Sequence, residues 1–283
     1  MTKTLFNKNL KDLHMDADKM HLNLENKEFS LNRTIPLLGG YDYEVYRKQW
    51  DAGFQTNNNW PKKFSYSLEY KQRDDIGDAR TNWELNRHFQ FALLAKDYYV
   101  SKDIKFLNEF QELFENWNNE NPFLYGISWT SVMEVAIRVS NWCYAYCFLS
   151  YCEDVSESIL KELETGIINM TDYIANHYSR YSSANNHLIV EAYAIGQSGV
   201  LLNYKPWIDL AVQILTKEFP LQNYSDGVNK ELSLHYQSFY MEAVGLMMRL
   251  LRKNNIVVPY EWSEWLGKMC HYLRDCLGEH GEV

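Results

Sequence analysis

The sequence lacks the features that would mark a membrane protein or a nucleic-acid binder. No window of the 283 residues reaches the roughly 18 apolar residues that a membrane-spanning helix needs. A net charge of −9 and a pI near 5.4 argue against nucleic acid as a partner. The stretch from Met1 to Leu10 has no apolar core, so we recognise no signal peptide. A cytoplasmic location is the default, and a periplasmic one stays open if the chain is part of a longer protein.

Cysteine and histidine spacing gives no sign of a disulfide framework or a metal site. The five cysteines are an odd number without paired metal-ligand spacing. Cys143 and Cys147 lie four residues apart in an apolar segment, which favours buried free thiols. The eight histidines are scattered, and no HExxH motif occurs. We therefore expect no metal and no cofactor.

Strand-like alternation is nearly absent, and helical patterns fill the chain from Thr81 onwards. Apparent capping boxes open two helices, at Thr81 to Glu84 and at Ser131 to Glu134. Prolines separate the predicted helices at Pro122, Pro206, Pro220 and Pro259. The helices are predicted at 81–99, 101–117, 131–149, 156–177, 184–202, 207–219, 230–253 and 261–277. They form four successive antiparallel hairpins, which predicts an all-α fold, either an open solenoid or an (α/α) toroid.

Residues 1–80 are predicted to form an irregular lead-in that packs on the helical part, 81–283, as one structural domain. It contains one short helix near residues 9–22 and a turn at Pro36 to Gly40. Asn57 to Asn59 and Pro61 indicate loop.

Unusual polar and aromatic residues recur near the start of the first helix of each hairpin, and in antiparallel hairpins these starts share one end of the assembly. The candidate substrate-binding or catalytic residues are Trp83, Asn86, Arg87, His88, Trp129, Asn185, Asn186, His187, Glu231, His235, Tyr236 and Tyr240. Structural roles compete with these functions. The tryptophans could belong to the core, Arg87 and His88 to a solvated face, and Tyr236 and Tyr240 to a buried stripe. Glu134 and Arg138, four residues apart, have the spacing of a structural ion pair.

The stretch Asn185-Asn186-His187 carries more polar groups than a helix start requires. One cap, from Asn185 or Ser183, satisfies a free backbone N–H group. An Asn-His pair at the positive end of a helix dipole is suited to bind a carboxylate, because amide, imidazolium and backbone N–H groups all donate hydrogen bonds.

Five sets of residues, in this order, closely resemble the heparinase II/III family of polysaccharide lyases over roughly residues 75–250. They are Trp83 to His88; Asn121-Pro122 with Gly126 to Trp129; Met133 to Arg138 with Asn141-Trp142; Asn185 to Leu188 with Glu191; and Asp226-Gly227 followed by Glu231, Ser233 and Tyr236. The resemblance implies an incomplete (α/α) toroid, followed in the family by a large antiparallel β-sandwich domain that completes the cleft. That β-sandwich is absent from these 283 residues.

The resemblance also implies a reaction, β-elimination at a 4-linked uronic acid of an anionic polysaccharide such as a glycosaminoglycan or alginate. Asn186 matches the residue that neutralises the substrate carboxylate, His187 its neighbour, and Tyr236 the catalytic tyrosine. Gln237 departs from the pattern, because the family often has histidine after the tyrosine. Such a lyase needs no metal, and the fragment alone is expected to be weakly active or inactive.

Two other functions compete with a lyase. A glycoside hydrolase on the same architecture needs two opposed carboxylates, for which Glu84, Glu134 and Glu231 are the candidates. Glu84 and Glu134 are also interpreted as capping-box residues, which disfavours this function. The other alternative is a carbohydrate-binding or scaffold domain without catalytic activity.

Overall fold

The structure, a computed structural model, describes residues 10, 12–24, 34–44, 47–71, 73–181 and 184–277. Its helices are α1 (Ala79–Leu85), α2 (Phe89–Ser101), α3 (Ile104–Glu120), α4 (Val132–Ser150), α5 (Glu157–His177), α6 (Asn186–Leu201), α7 (Lys205–Gln222), α8 (Leu234–Lys253) and α9 (Tyr260–Cys276). Short 3₁₀ helices cover Ala17–Met20, Ser65–Ser67 and Ile127–Trp129. The predicted helical pattern is confirmed, with boundaries that differ by a few residues.

The first predicted helix is two helices, and its predicted capping box is wrong. His88 adopts a left-handed backbone conformation with φ of 63°, which separates α1 from α2. The N-cap of α1 is Asp78, whose side chain accepts a hydrogen bond from the Arg80 N–H. Thr81 and Glu84 instead bind the backbone carbonyl and N–H of Leu38. The two side chains that the local pattern assigned to a helix cap thus bind a backbone segment that is distant in sequence.

The predicted turn at Pro36 to Gly40 connects two short strands that the sequence pattern did not predict. β1 (Thr34–Leu37) and β2 (Tyr41–Glu44) pair in antiparallel fashion, with Leu37 opposite Tyr41. Gly39 and Gly40 have φ of 91° and 79°, conformations that glycine adopts at little steric cost. Of the helix predicted near residues 9–22, Ala17–Met20 is helical, and residues 9 and 11 lie outside the described residues.

Two further local predictions are wrong. Pro220 does not end a helix, because α7 continues through it to Gln222 and loses only the hydrogen bond that a proline cannot donate. Ser131 is the N-cap of α4, as predicted, but its side chain makes no capping hydrogen bond. The second capping box is therefore also absent, and Glu134 has a different partner, described below.

Backbone contacts divide the described residues into two compact units, with the boundary inside α5. The α1–α4 unit comprises the described part of 22–170, and the α6–α9 unit comprises the described parts of 1–21 and 171–283. In the first unit α2 packs against α3 and α4. The predicted division at residue 80 stays a prediction.

The α6–α9 unit is built around α6, which packs against both α7 and α8. All residues of α6 from Leu188 to Leu201 are buried, as expected for a helix that is apolar nearly all round. Gly196 allows this close packing, because a Cβ atom there would lie 2.9 Å from the Cβ of Ala211 on α7. The start of α6 is consequently held in a fixed position by two neighbouring helices.

Candidate functional site

In the α1–α4 unit, three of the predicted site residues are buried in the protein's own contacts. Asn86 donates to the carbonyls of Trp50 and Asn82 and accepts from the Trp117 indole at 2.8 Å. His88 accepts a hydrogen bond on Nδ1 from the Trp142 indole at 2.8 Å. Trp129 is also buried. These contacts favour the structural alternatives, although His88 is buried rather than on a solvated face.

A buried arginine lies at the centre of this cluster. Arg138 donates to the carbonyls of Asn86 and Ser128, both at 2.7 Å, and its guanidinium lies over the rings of Trp117 and Trp129. Burial lowers the pKa of Arg138 to about 9, against the opposing effect of Glu134. Burial, and secondarily the charge of Arg138, also lower the pKa of the nearby His88 imidazole well below its usual value.

The predicted ion pair between Glu134 and Arg138 is replaced by a longer-range one. Arg87 holds Glu134 in a two-point contact, Nε to Oε2 at 2.6 Å and Nη2 to Oε1 at 3.1 Å. Glu134 is almost fully buried, and Arg87 also lies 3.5 Å from Glu84. Arg87 is thus committed to carboxylates of the protein itself.

Among the predicted site residues of this unit, Trp83 lines a cavity. Its indole N–H donates to the Ile127 carbonyl at 3.2 Å and to the Thr130 hydroxyl at 3.0 Å, and its ring packs edge-on against Tyr70. A cavity of about 470 Å³ lies beside it, lined among others by Gln55, Tyr70, Arg73, Asp78, Arg80 and Trp83. Aromatic faces with planar polar groups are compatible with a sugar.

In the α6–α9 unit, the start of α6 is organised as its sequence predicts. Asn185 is the N-cap, and its side chain accepts a hydrogen bond from the His187 N–H at 3.1 Å. The alternative cap, Ser183, lies outside the described residues. Asn186 is the first residue of α6 and is buried, whereas His187 is half-buried. Asn185 therefore provides the cap, which leaves the Asn186 side chain for another role.

Asn186 binds a carboxylate of the same chain. Its backbone N–H donates to Oε1 of Glu231 at 3.1 Å, and its side-chain Nδ2 donates to Oε2 at 3.0 Å. Both oxygens of Glu231 therefore bind one residue at the positive end of α6. The contact joins the start of α6 to the segment that leads into α8, so the two helix starts lie at one end of this unit.

Buried amides fix the loop that carries Glu231. Asn229 accepts from the Glu231 N–H at 2.9 Å, and its own N–H donates to Oε1 of Gln237 at 2.8 Å. Gln237 also donates to the Gly227 carbonyl at 3.0 Å. Gly227, with φ of 95°, lies so close to α9 that a Cβ there would be 2.5 Å from the carbonyl carbon of Lys268. Gln237, a buried residue of α8 that departs from the pattern expected from the resemblance, thus stabilises the loop that carries Glu231.

The predicted residues of α8 differ in exposure. Tyr236 lies in the first turn, three residues after the N-cap Ser233, and is 44% exposed. His235 is exposed, with its ring 5.8 Å from that of Tyr236. Tyr240 is fully buried against Phe219, and this burial raises the pKa of its hydroxyl. Among the tyrosines predicted here, Tyr236 is the one placed to contact a ligand.

A buried acid one turn beyond His187 was not among the predicted site residues. Glu191 accepts hydrogen bonds from the Ser179 N–H at 2.6 Å and the Ser179 hydroxyl at 2.8 Å. Burial raises its pKa to about 7, although both hydrogen bonds oppose the shift. A glutamate inside the otherwise apolar run of α6 was the sequence signal for this group. It anchors the segment that precedes the start of α6.

A second cavity, of about 380 Å³, lies between α7 and the segment that precedes α6. Two exposed cations line it, Arg180 and Lys217, together with Tyr178, Tyr181, Leu188 and Glu218. Arg180 lies over the Tyr178 ring at 4.6 Å, and Glu218 accepts a hydrogen bond from Gln222. Within the described residues, neither cation forms an ion pair. This cavity therefore presents positive charge beside aromatic rings near the start of α6.

The arrangement in the α6–α9 unit suits proton transfer next to a stabilised anion. Amide and helix-terminal N–H donors can stabilise negative charge, and a phenol such as Tyr236 can transfer a proton. Across the described part of the chain, no cluster of three or more His, Cys, Asp or Glu side chains has the geometry to bind a metal ion. None of the described helices combines the length and apolar character needed to cross a membrane.

The chain is similar to bacterial heparin-sulfate lyases and to heparinase III structures. It is 28% identical over 240 residues to a heparin-sulfate lyase of Bacteroides thetaiotaomicron, an alignment that covers 77% of this chain and 33% of that protein. A lysine-methylated heparinase III superposes with a TM-score of 0.63 at 19% identity, over 89% of this chain and 41% of the other. A second heparinase III structure gives 0.61 at 22% identity, over 90% and 42%.

These structures confirm the predicted fold class, helical hairpins of the (α/α) toroid type. The chain spans well under half the length of these relatives. A family model described as Heparinase II/III N-terminus matches residues 18–276. Because this match covers most of the sequence, the chain belongs to the Heparinase II/III N-terminus family.

Proposed function

We propose that this chain is the helical domain of a polysaccharide lyase that cleaves an anionic, uronic-acid-containing polysaccharide by β-elimination. The pair of hydrogen bonds between Asn186 and Glu231 carries the proposal. It joins the start of α6 to the segment leading into α8, where Tyr236 is exposed. The names of the relatives, heparin-sulfate lyases, suggest the class of substrate.

In this mechanism the domain stabilises the charge that develops when the C5 proton leaves. Removal of that proton places negative charge on the adjacent carboxylate, and the remaining side-chain N–H of Asn186, at the N-terminus of α6, donates a hydrogen bond to it. Such donors accelerate the reaction if they bind the developing anion more strongly than the ground state. His187, the next residue, adds a further polar group at the same helix end.

Tyr236 has the proton-transfer role. As a phenol, Tyr236 protonates the departing O4 while a separate base takes the C5 proton. For some uronate stereochemistries Tyr236 instead starts as a phenolate, takes the C5 proton and then passes this proton to O4. The exposure of Tyr236 in the first turn of α8 supports this role, because substrate must reach the hydroxyl. The family resemblance implies that a β-sandwich domain completes the cleft, so we expect little or no turnover from the 283 residues alone.

The cavity beside the start of α6 supports an anionic substrate. Arg180 and Lys217 are exposed there and have no acidic partner within the described residues. Tyr178 and Tyr181 add ring surfaces that can stack on a sugar. A carboxylated or sulfated sugar satisfies both features.

The hydrolase alternative has less support, because its candidate carboxylates have other partners. Glu134 is bound by Arg87, Glu84 by the Leu38 backbone, and Glu231 by Asn186. A hydrolase needs one carboxyl group free to protonate the leaving oxygen and a second free to act as base or nucleophile.

The test is to incubate the chain, and the longer protein if the chain is part of one, with heparan sulfate, alginate and other uronic-acid polysaccharides. A lyase produces an unsaturated product, detected by its ultraviolet absorbance. We expect Asn186→Ala to lower turnover roughly a hundredfold and Tyr236→Phe at least as much. Tyr260→Phe, at an exposed tyrosine of α9, is the matched control and should retain activity.

New reducing ends without the ultraviolet chromophore would indicate a hydrolase instead. Binding of a polysaccharide without either product, in the longer protein as well, would favour a carbohydrate-binding domain.

A further inference from the structure

Both carboxylate oxygens of Glu231 accept hydrogen bonds from Asn186, and these bonds fix the orientation of the Asn186 side-chain amide. An ionised carboxylate only accepts hydrogen bonds, whereas an asparagine side chain has a donor end with two N–H groups and an acceptor end. The 3.0 Å contact therefore requires that Nδ2, not Oδ1, face Glu231. One N–H group of Asn186 is committed to this contact, and the other remains for a ligand.

The backbone of Glu231 is held in place by a buried side chain. Its backbone N–H is bound by Asn229, which is buried and bound in turn by Gln237. Gln237 is the immediate neighbour of Tyr236 on α8. A chain of hydrogen bonds thus runs from the residue beside Tyr236 to the side chain of Asn186.

The charge of Glu231 argues against direct contact with an anionic substrate. A carboxylate beside the place where a uronate carboxylate binds repels it, and the repulsion is stronger in a partly buried site than in water. Neither oxygen of Glu231 is without a donor, since the N–H and the Nδ2 of Asn186 occupy one each. The contribution of Glu231 therefore lies in what it does to Asn186.

We propose that Glu231 is a positioning residue that holds the Asn186 amide in the orientation needed to donate to a substrate carboxylate. This inference rests on the proposed function for the role of Asn186 towards substrate, but the orientation of the amide can be tested without substrate.

The first experiment measures the side-chain N–H resonances of Asn186 in the 283-residue chain by nuclear magnetic resonance, with Asn186→Ala to assign them. Glu231→Gln should shift both resonances, because a glutamine can accept only one of the two hydrogen bonds and presents a donor to the other. Glu231→Asp keeps the charge but shortens the side chain by one methylene, so it should shift them too. The matched control is Glu261→Gln, which makes the same charge change at an exposed position of α9.

The second experiment is a double-mutant cycle that measures affinity for a glucuronate-containing oligosaccharide. Glu231→Gln should weaken binding roughly tenfold when Asn186 is present, because the amide is no longer held. In the Asn186→Ala background the same change should leave binding unchanged or slightly tighter, because no amide is left to orient and one repulsive charge is removed.

Three results would be decisive against the inference or against its premise. Unchanged Asn186 resonances in the folded Glu231 variants would overturn it. An equal loss of affinity in both backgrounds would also overturn it, because Glu231 would then act independently of Asn186. If the unmodified chain and the longer protein bind no uronate at all, the proposed function fails, while the resonances still report whether Glu231 orients the amide.

Discussion

The buried acid Glu191 gives a quantitative prediction about stability and pH. Its pKa is raised from 4.5 to about 7 in the folded chain, mainly by burial. The folded state favours the protonated form of the Glu191 carboxyl group. The contribution of this group to the stability of the fold is therefore fully present below pH 4.5 and is lost as the pH rises through about 7. The shift of the pKa corresponds to about 3 kcal/mol in the free energy of unfolding.

Glu191→Gln should remove this dependence. A glutamine can accept from the Ser179 N–H through its oxygen and donate to the Ser179 hydroxyl through its amide, so both contacts survive. Relative to the unmodified chain, the variant should gain little stability near pH 5 and about 3 kcal/mol near pH 8.

The assay is urea unfolding followed by circular dichroism at a series of pH values, with the difference between the two proteins plotted against pH. Other titrating groups are common to both proteins and cancel in this difference. Glu261→Gln, at an exposed glutamate, should give a nearly flat difference. A flat difference for Glu191→Gln as well would refute the reasoning, because the folded state would then not disfavour the ionised carboxylate.

Three further predictions follow from contacts described above. Arg87→Ala should lower the free energy of unfolding by about 3 kcal/mol, since it leaves the buried Glu134 unpaired, and adding Glu134→Gln should restore part of the loss in the same urea titration. Gly227→Ala should lower the free energy of unfolding by about 2 kcal/mol or more, because residue 227 has a positive φ and no room for a Cβ. Thermal unfolding measures this loss, and an unchanged midpoint temperature would contradict the geometry. Lys217→Ala should weaken binding of a sulfated oligosaccharide by roughly threefold, corresponding to about 0.6 kcal/mol for one exposed charge, whereas calorimetry should detect no change for Lys253→Ala, an exposed lysine outside the cavity.

The sequence predicted groups that act locally and missed those that depend on distant partners. Asn185 was recognised as a cap because the N–H it binds is two residues away. Thr81 and Glu84 showed the same local pattern, yet their partner is the Leu38 backbone, more than 40 residues earlier. No local rule could indicate that competition, since it depends on where a turn lies in the folded chain.

The candidate site shows the same division. The concentration of polar residues at the start of α6 predicted a binding role for Asn186, but its contact with Glu231 joins residues 45 positions apart. Likewise, Glu134 and Arg138 have the spacing of a helical ion pair, but burial of Arg138 among tryptophans places Glu134 against Arg87 instead. Helix periodicity predicted where most of the helices lie, to within a few residues, whereas the partners of their side chains depend on tertiary packing.

The amide of Gln237 has a consequence for engineering this site. From its position in α8 it accepts a hydrogen bond from the Asn229 N–H and donates one to the Gly227 carbonyl. The conformation of the loop before α8 therefore depends on the residue at position 237. A loop transplanted from a relative with histidine at this position would arrive without the donor and acceptor that its backbone meets here. A transfer of this loop between family members should therefore include residue 237, and we expect these positions to change together in the family.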